Sequence, residues 1–162
     1  MDGPHHLGQP VTTVSVCNLA DVDEWAALRH ELWPRGSIAE YRAESIAALA
    51  KPDTLLNLIA RDDQGKAIGF AEAAIRHDYV NGCKTSPVGF LEGIYVDPHY
   101  RRRSVARELI AAVEAWTIAR GCSELASDAA LDNHQSHKMH NALGFEETQR
   151  VVFFRKLLTK RT

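Results

Sequence analysis

Residues Phe90 to Ile110 read FLEGIYVDPHYRRRSVARELI, and no other stretch limits the possible folds so sharply. Leu91, Ile94 and Val96 mark an apolar strand over Phe90 to Val96, which the Pro98 turn ends. From Ser104 onward Val105, Leu109, Ile110, Val113 and Trp116 recur at helical spacing, so a helix over Ser104 to Arg120 lays one face on a core, and Gly121 stops it. The first turn of that helix carries unpaired backbone N–H groups, which together with the helix dipole favour an anion. Arg101, Arg102 and Arg103 stand just before it, and small Ser104 and Ala106 let a pyrophosphate approach the backbone. Glu92 places a charge in the middle of the buried strand, a position that predicts a function.

The remaining elements can be read around this unit. Val11 to Cys17 is β-branched and alternating, a first strand. Asp21 caps a helix to Trp33 that Pro34 stops, and Ser37-Ile38-Ala39-Glu40 is a capping box opening a second helix through Ala50. Leu55 to Ala60 and Ala67 to Ile75 form a hairpin about Asp62-Asp63-Gln64-Gly65, and a polar loop runs from His77 to Pro87. After the central unit come a short strand over Glu124 to Ser127, a helix over Asn133 to Leu143 closed by Gly144, and a last strand over Val151 to Leu157. The order β-α-α-β-β-β-α-β-α-β predicts an α/β fold, a mixed central sheet with helices on both faces. Residues 1–10 are expected to be a flexible leader and 11–162 a single domain.

A formal net charge of −2 argues against a general nucleic-acid binder, so the arginines form a local anion site. Three widely spaced cysteines without a CxxC pair fit a reducing cytoplasm, and no apolar run approaches the roughly 18 residues of a spanning helix. No membrane or nucleic-acid partner is expected. His134, His137 and His140 fall at i, i+3 and i+6, but without a carboxylate or Cys ligand at fitting spacing they read as a solvated or capping face, and no metal is expected.

The loop Arg101-Arg102-Arg103-Ser104-Val105-Ala106 resembles the cofactor motif of the GCN5-related N-acetyltransferases, with Ser104 in place of a glycine. At a helix start this position is expected to need no positive φ, so a serine is tolerated there. The resemblance implies that the loop amides hold the pyrophosphate of acetyl-CoA as cosubstrate, and that the backbone of Ile94, Tyr95 and Val96 binds the pantetheine arm and acetyl carbonyl. Residues Asn133 to Phe145 resemble a second motif, which implies that Asn133 bonds the cofactor arm and that His140, in the place of a Tyr, protonates the leaving thiolate. Acetyl transfer to an amine also needs a base near the acceptor, and Glu92 and Asp128 are the pair expected to serve. Turn capping by Asp128 and an arginine partner for Glu92 stand as the plainer readings.

Trp33-Pro34, IRHDYVNGC from Ile75 to Cys83, FLEGIYV from Phe90 to Val96, Ala126-Ser127-Asp128 and LGFEET from Leu143 to Thr148 are similar to the aminoglycoside 6′-N-acetyltransferases of dimeric type. This implies acetyl transfer to the 6′-amine by direct attack in a ternary complex, antibiotic resistance and a homodimer. It also implies that Trp33, Tyr79, Glu92 and Asp128 line the aminoglycoside site, with Tyr79 reaching the neighbouring subunit. Gln149 stands where the family has a Glu that helps bind the drug, and Gly36 where it has a His. Asp78, Glu146 and Glu147 add acidic groups suited to a polycation. Acetylation of a polyamine or protein N-terminus, and an acetyl-CoA-binding module without turnover, remain the alternatives.

Overall fold

The computed structural model describes residues 11–158, so the leader expected over 1–10 lies outside the described residues. The chain falls into two compact units, one ending at Asp128 and the other beginning at Ala129.

The first unit holds a five-stranded sheet in the order β1-β2-β3-β4-β5, with β1 Thr13–Val16, β2 Leu55–Arg61, β3 Ala67–Arg76, β4 Val88–Val96 and β5 Leu125–Ser127. The first four strands pair antiparallel and β5 runs parallel to β4, which makes the sheet mixed as predicted. Helices α1 (Val22–Leu32), α2 (Ile38–Leu49) and α3 (Val105–Ala119) complete this unit. The capping box forms at Ser37, whose hydroxyl accepts from Glu40 N while the Glu40 carboxylate accepts from Ser37 N. Asp21 is the residue before α1 but makes no side-chain cap there. It instead closes a capping box with Asn18 around a 3₁₀ turn and pairs with Arg61 at 2.7 Å.

One irregularity sets the geometry of β4. Glu72 pairs with Gly93 and the next residue, Ala73, pairs with Leu91, so Glu92 is the extra residue of a β-bulge. In a regular strand Gly89 and Gly93 would share a face. The bulge puts them on opposite faces: a Cβ on Gly89 would stand 2.6 Å from Thr117 Cγ2 in α3, and one on Gly93 would stand 2.5 Å from Trp33 Cζ2, at the end of α1. Helices therefore pack on both faces. α3 buries Val105, Leu109, Ile110, Val113 and Thr117, and α1 buries Trp25 and Leu28 in a core cluster with Cys17, Ile59 and Phe70.

On the α1 face the core contains charge. Glu72 is buried in the middle of β3; its Oε1 accepts from Trp25 Nε1 at 2.9 Å and lies 2.8 Å from Arg29 Nε. Burial pushes the Glu72 carboxyl up and Arg29 pulls it back down.

The second unit holds α4 (His134–Ala142). The last strand expected over Val151 to Leu157 is absent: residues 146–158 take no regular structure. A strand needs a neighbour for its backbone N–H and C=O groups, and among the described residues the sheet has no strand beyond β5. The Phe153-Phe154 pair also breaks the alternation that would give such a strand one buried face.

Candidate active site

The parallel ladder runs Gly89↔Leu125, Phe90↔Ala126, Leu91↔Ser127 and stops, while β4 continues through Glu92 to Val96. The residues that follow the last pair, Glu92 and Asp128, thus leave the ladder at the same level. Both are exposed. The expectation that Glu92 is a charge inside a buried run is corrected, because the bulge takes it out of the alternation of its strand. Its carboxylate meets Arg76, whose Nη2 donates to Oε1 at 2.8 Å and Oε2 at 3.0 Å, and the guanidinium lies 3.5 Å from the Phe90 ring centroid.

Trp33 ends α1 with non-helical backbone, and its half-buried indole rests on the bare backbone of Gly93, next to Glu92. Phe70 meets the indole edge-on at 5.9 Å. Tyr79 is 76% exposed in the loop between β3 and β4. That loop is held by Glu124, whose Oε1 accepts from Lys84 N and Thr85 N, and by buried Val80 against Val88 and Phe90.

At the other end of β4, Ile94 and Val96 are buried and Tyr95 is half-buried against Phe70. Arg101 Nε donates to Val96 O at 3.1 Å, and the Arg103 guanidinium lies 5.5 Å from the Tyr100 ring centroid. Arg102 and Ser104 have φ of 62° and 65°. The reading that position 104 needs no positive φ is therefore wrong: the turn into α3 is left-handed there, which is where glycine is favoured and serine is strained by roughly 1–2 kcal/mol. Ser104 makes no side-chain cap on α3, and the first helical bond is Glu108 N to Ser104 O at 3.0 Å. Val105, Ala106 and Arg107 accordingly present N–H groups with no acceptor inside the helix. Three exposed arginines, an uncapped first turn and small side chains at 104 and 106 suit a pyrophosphate.

In the second unit, Asn133 Oδ1 caps α4 by accepting from Ser136 N at 3.1 Å, which leaves its NH₂ as the group that can turn to a ligand. His140 Nδ1 lies 2.7 Å from Ser136 O, and its ring stands edge-on to Phe145 at 5.2 Å. A carbonyl only accepts, so Nδ1 carries the hydrogen in this contact. Glu147 pairs with Arg150 in this unit, so it is less available to a polycation than its sequence position suggests. Among the described residues no group of three or more His, Cys, Asp or Glu converges on a metal position. The three cysteines are free thiols; burial pushes Cys17 well above the ordinary thiol range and raises Cys83.

A sequence profile described as the acetyltransferase (GNAT) family matches residues 19–145. The chain belongs to this family. Among its GNAT relatives, an aminoglycoside N(6′)-acetyltransferase type 1 of Salmonella typhimurium is 52% identical, over 86% of this chain and 94% of that protein. Another of the same name from Serratia marcescens is 50% identical over 90% and 99% of the two chains. The crystal structure of the aminoglycoside 6′-N-acetyltransferase AAC(6′)-Ih from Acinetobacter baumannii superposes with a TM-score of 0.87 at 44% identity, covering 92% of this chain and all of that one. AAC(6′)-Iy in complex with the bisubstrate analogue CoA-S-monomethyl-acetylneamine superposes at 0.85 with 49% identity, covering 91% and 99%.

Sequence reasoning missed Arg76, Glu72 and Tyr41, which together with Arg29 surround the Glu92 and Trp33 region. The one available signal was charge in strand β3, where Glu72 and Arg76 interrupt a run of small and apolar residues.

Proposed function

We propose that this protein transfers the acetyl group of acetyl-CoA to the 6′-amine of aminoglycosides by direct attack, and thereby confers resistance to them. The observation that carries the reading is the parting of β4 and β5 beyond Leu91 and Ser127, with two carboxylates at the fork and the uncapped start of α3 beyond the end of β4. Acetyl-CoA supplies the activated acyl group. The first-turn amides of α3 and Arg101, Arg102 and Arg103 hold its pyrophosphate, with Ser104, Val105 and Ala106 as the close-approach surface. The backbone of Ile94, Tyr95 and Val96 and the Asn133 amide hold its arm. Glu92 and Asp128 attract the cationic acceptor, and one of them takes the proton that the attacking amine must lose. A carboxylate accepts about four hydrogen bonds, so pairing with Arg76 leaves Glu92 able to hold an ammonium as well. His140 Nε2 is the donor for the departing sulfur. Trp33 forms a wall of the acceptor site. The test is release of CoA thiol from acetyl-CoA on adding an aminoglycoside, with mass spectrometry to place the acetyl group on the 6′-nitrogen.

Glu92→Gln and Asp128→Asn are expected to keep acetyl-CoA affinity and lose roughly 10²-fold in turnover, the scale of one general-base contribution. Wild-type kcat/KM in both variants would overturn their assignment. At the cofactor loop, Ser104→Gly relieves the left-handed strain, so its Tm should rise and its acetyl-CoA affinity should hold or improve. Ser104→Trp should abolish binding in calorimetry of the folded protein; equal affinity there would remove the pyrophosphate from this turn.

The two units form one acetyltransferase domain, a reading supported by the family match, which crosses the boundary at Asp128. The protein works as a homodimer in the cytoplasm. Free thiols support the compartment, and among the described residues no helix is long and apolar enough to cross a membrane. The dimer is supported by the exposure of Val152, Phe153, Phe154, Leu157 and Leu158, between 74% and 93%, an apolar patch that a second copy would cover. Tyr79, exposed on its loop, is the side chain that reaches the neighbouring subunit. Phe153→Ser/Phe154→Ser should shift the particle mass in light scattering from two chains to one.

A further inference from the structure

Around the end of α1 lies a set of contacts that the proposed chemistry does not use. Trp33 is the last residue of the helix turn, and its carbonyl has no successor in the helix to bond. Tyr41 of α2 donates its hydroxyl to that carbonyl at 2.6 Å, and the same oxygen accepts from Gly36 N at 3.2 Å. A single side-chain atom thus ties both ends of the turn from Trp33 to Gly36. The turn is fastened again where His30 Nδ1 lies 2.9 Å from Gly36 O. The Tyr41 ring is buried, with the Arg29 guanidinium 4.9 Å from its centroid and 5.4 Å from that of Trp33. Position 36 accepts only glycine without rearrangement: a Cβ there would stand 2.5 Å from Tyr41 Cζ and 2.5 Å from its oxygen. On its far side the indole sits on Gly93, where a Cβ would be 2.6 Å from Trp33 Cη2.

We propose that Tyr41 and Gly36 form a clasp that fixes the Trp33 indole against Gly93, beside Glu92, and so sets affinity for the aminoglycoside. The inference rests on the reading of Trp33 as a wall of the acceptor site. Tyr41 acts through Trp33 and is a positioning residue. It has no assigned part in holding acetyl-CoA, since its contacts join α1 to α2 and involve neither the arginine loop nor α3. The Gly36 substitution noted in the sequence is then a matched feature of this chain, because the space a larger residue would take is filled by the Tyr41 ring.

The test is steady-state kinetics with neamine as acceptor for Tyr41→Phe, Gly36→Ala, Trp33→Ala and the double variant Tyr41→Phe/Trp33→Ala. Tyr41→Phe removes only the hydroxyl, and Gly36→Ala displaces the ring while keeping it. Two neutral hydrogen bonds lost at the clasp correspond to roughly a tenfold rise in KM for neamine. KM for acetyl-CoA should not change, and in the Trp33→Ala background Tyr41→Phe should add nothing. An unchanged neamine KM in Tyr41→Phe and Gly36→Ala would overturn the clasp, as would an equal rise in both KM values or a full effect of Tyr41→Phe without the indole. If Trp33→Ala alone leaves neamine KM at the wild-type value, the acceptor-wall reading fails and the clasp with it. If one of the two clasp variants does not fold, as judged by circular dichroism, the other decides.

Discussion

An aminoglycoside with a 6′-hydroxyl in place of the 6′-amine is expected to release CoA thiol roughly 10⁴-fold more slowly than its amino counterpart. The two molecules fill the same space, so shape does not separate them. Charge and nucleophilicity do. In the proposed site the amine arrives as an ammonium and would satisfy carboxylates at the fork between β4 and β5, where Glu92 and Asp128 leave the ladder together. The hydroxyl brings no cation and attacks a thioester poorly even when well placed. A site arranged around one polar group discriminates strongly against the analogue that lacks it, because its own groups are left without their partner. The measurement is thiol release for the matched pair at equal concentration, with fragment mass spectrometry of the product. Equal rates, or acetyl found on another amine, would overturn the 6′ assignment and leave acetyl transfer standing.

Arg29→Met is expected to destabilise the protein by about 3–5 kcal/mol, the usual cost of removing one partner of a buried ion pair. The Arg29 and Glu72 side chains are only 12% and 11% exposed, and Glu72 would keep the Trp25 indole N–H as its one remaining donor. The penalty should depend on pH. Burial already pushes the Glu72 carboxyl up, and without Arg29 only the Trp25 hydrogen bond opposes it, so the folded variant holds its proton to higher pH than the unfolded chain does. A group whose folded pKa is raised favours the folded state below its unfolded value and loses that contribution as pH rises. The variant should therefore be closest to wild type near pH 4 and fall further behind toward neutrality. Arg29→Met/Glu72→Gln retains an acceptor for Trp25 with no charge to bury, and should recover most of the loss in urea titrations. A single variant with wild-type stability at pH 7 would show that the pair contributes nothing.

These two expectations differ in how far the sequence alone could lead to them. The arginine loop and the capping box at Ser37 could be read directly, since each depends on neighbours within a few residues, whereas the level of Asp128 beside Glu92 depends on β5 pairing with β4. Helix α3 was legible for the same reason, its apolar period being local. Glu72 was not. It becomes a buried charge only when α1 brings Trp25, 47 residues away, onto β3; AIGFAEAAIR shows that a charge interrupts the run but not what it meets. The bulge at Glu92 was hidden too, because one extra residue leaves a strand's composition unchanged and shows only in the pairing with β3. The left-handed turn at Ser104 lacked its usual glycine, so the familiar signal pointed away from the true backbone. The missing last strand followed from reading β-propensity as sufficient, when a strand exists only against a partner.

Because position 92 stands outside the regular pairing of β4 with β3, its side chain is coupled to the sheet mainly through an exposed ion pair with Arg76, a kind of contact that contributes little to stability. Every other residue of β4 carries both a packing duty and a register duty, so altering it taxes folding. Position 92 can therefore be exchanged while the scaffold stays constant, and a saturation library there should show a wide spread of turnover at nearly uniform melting temperature.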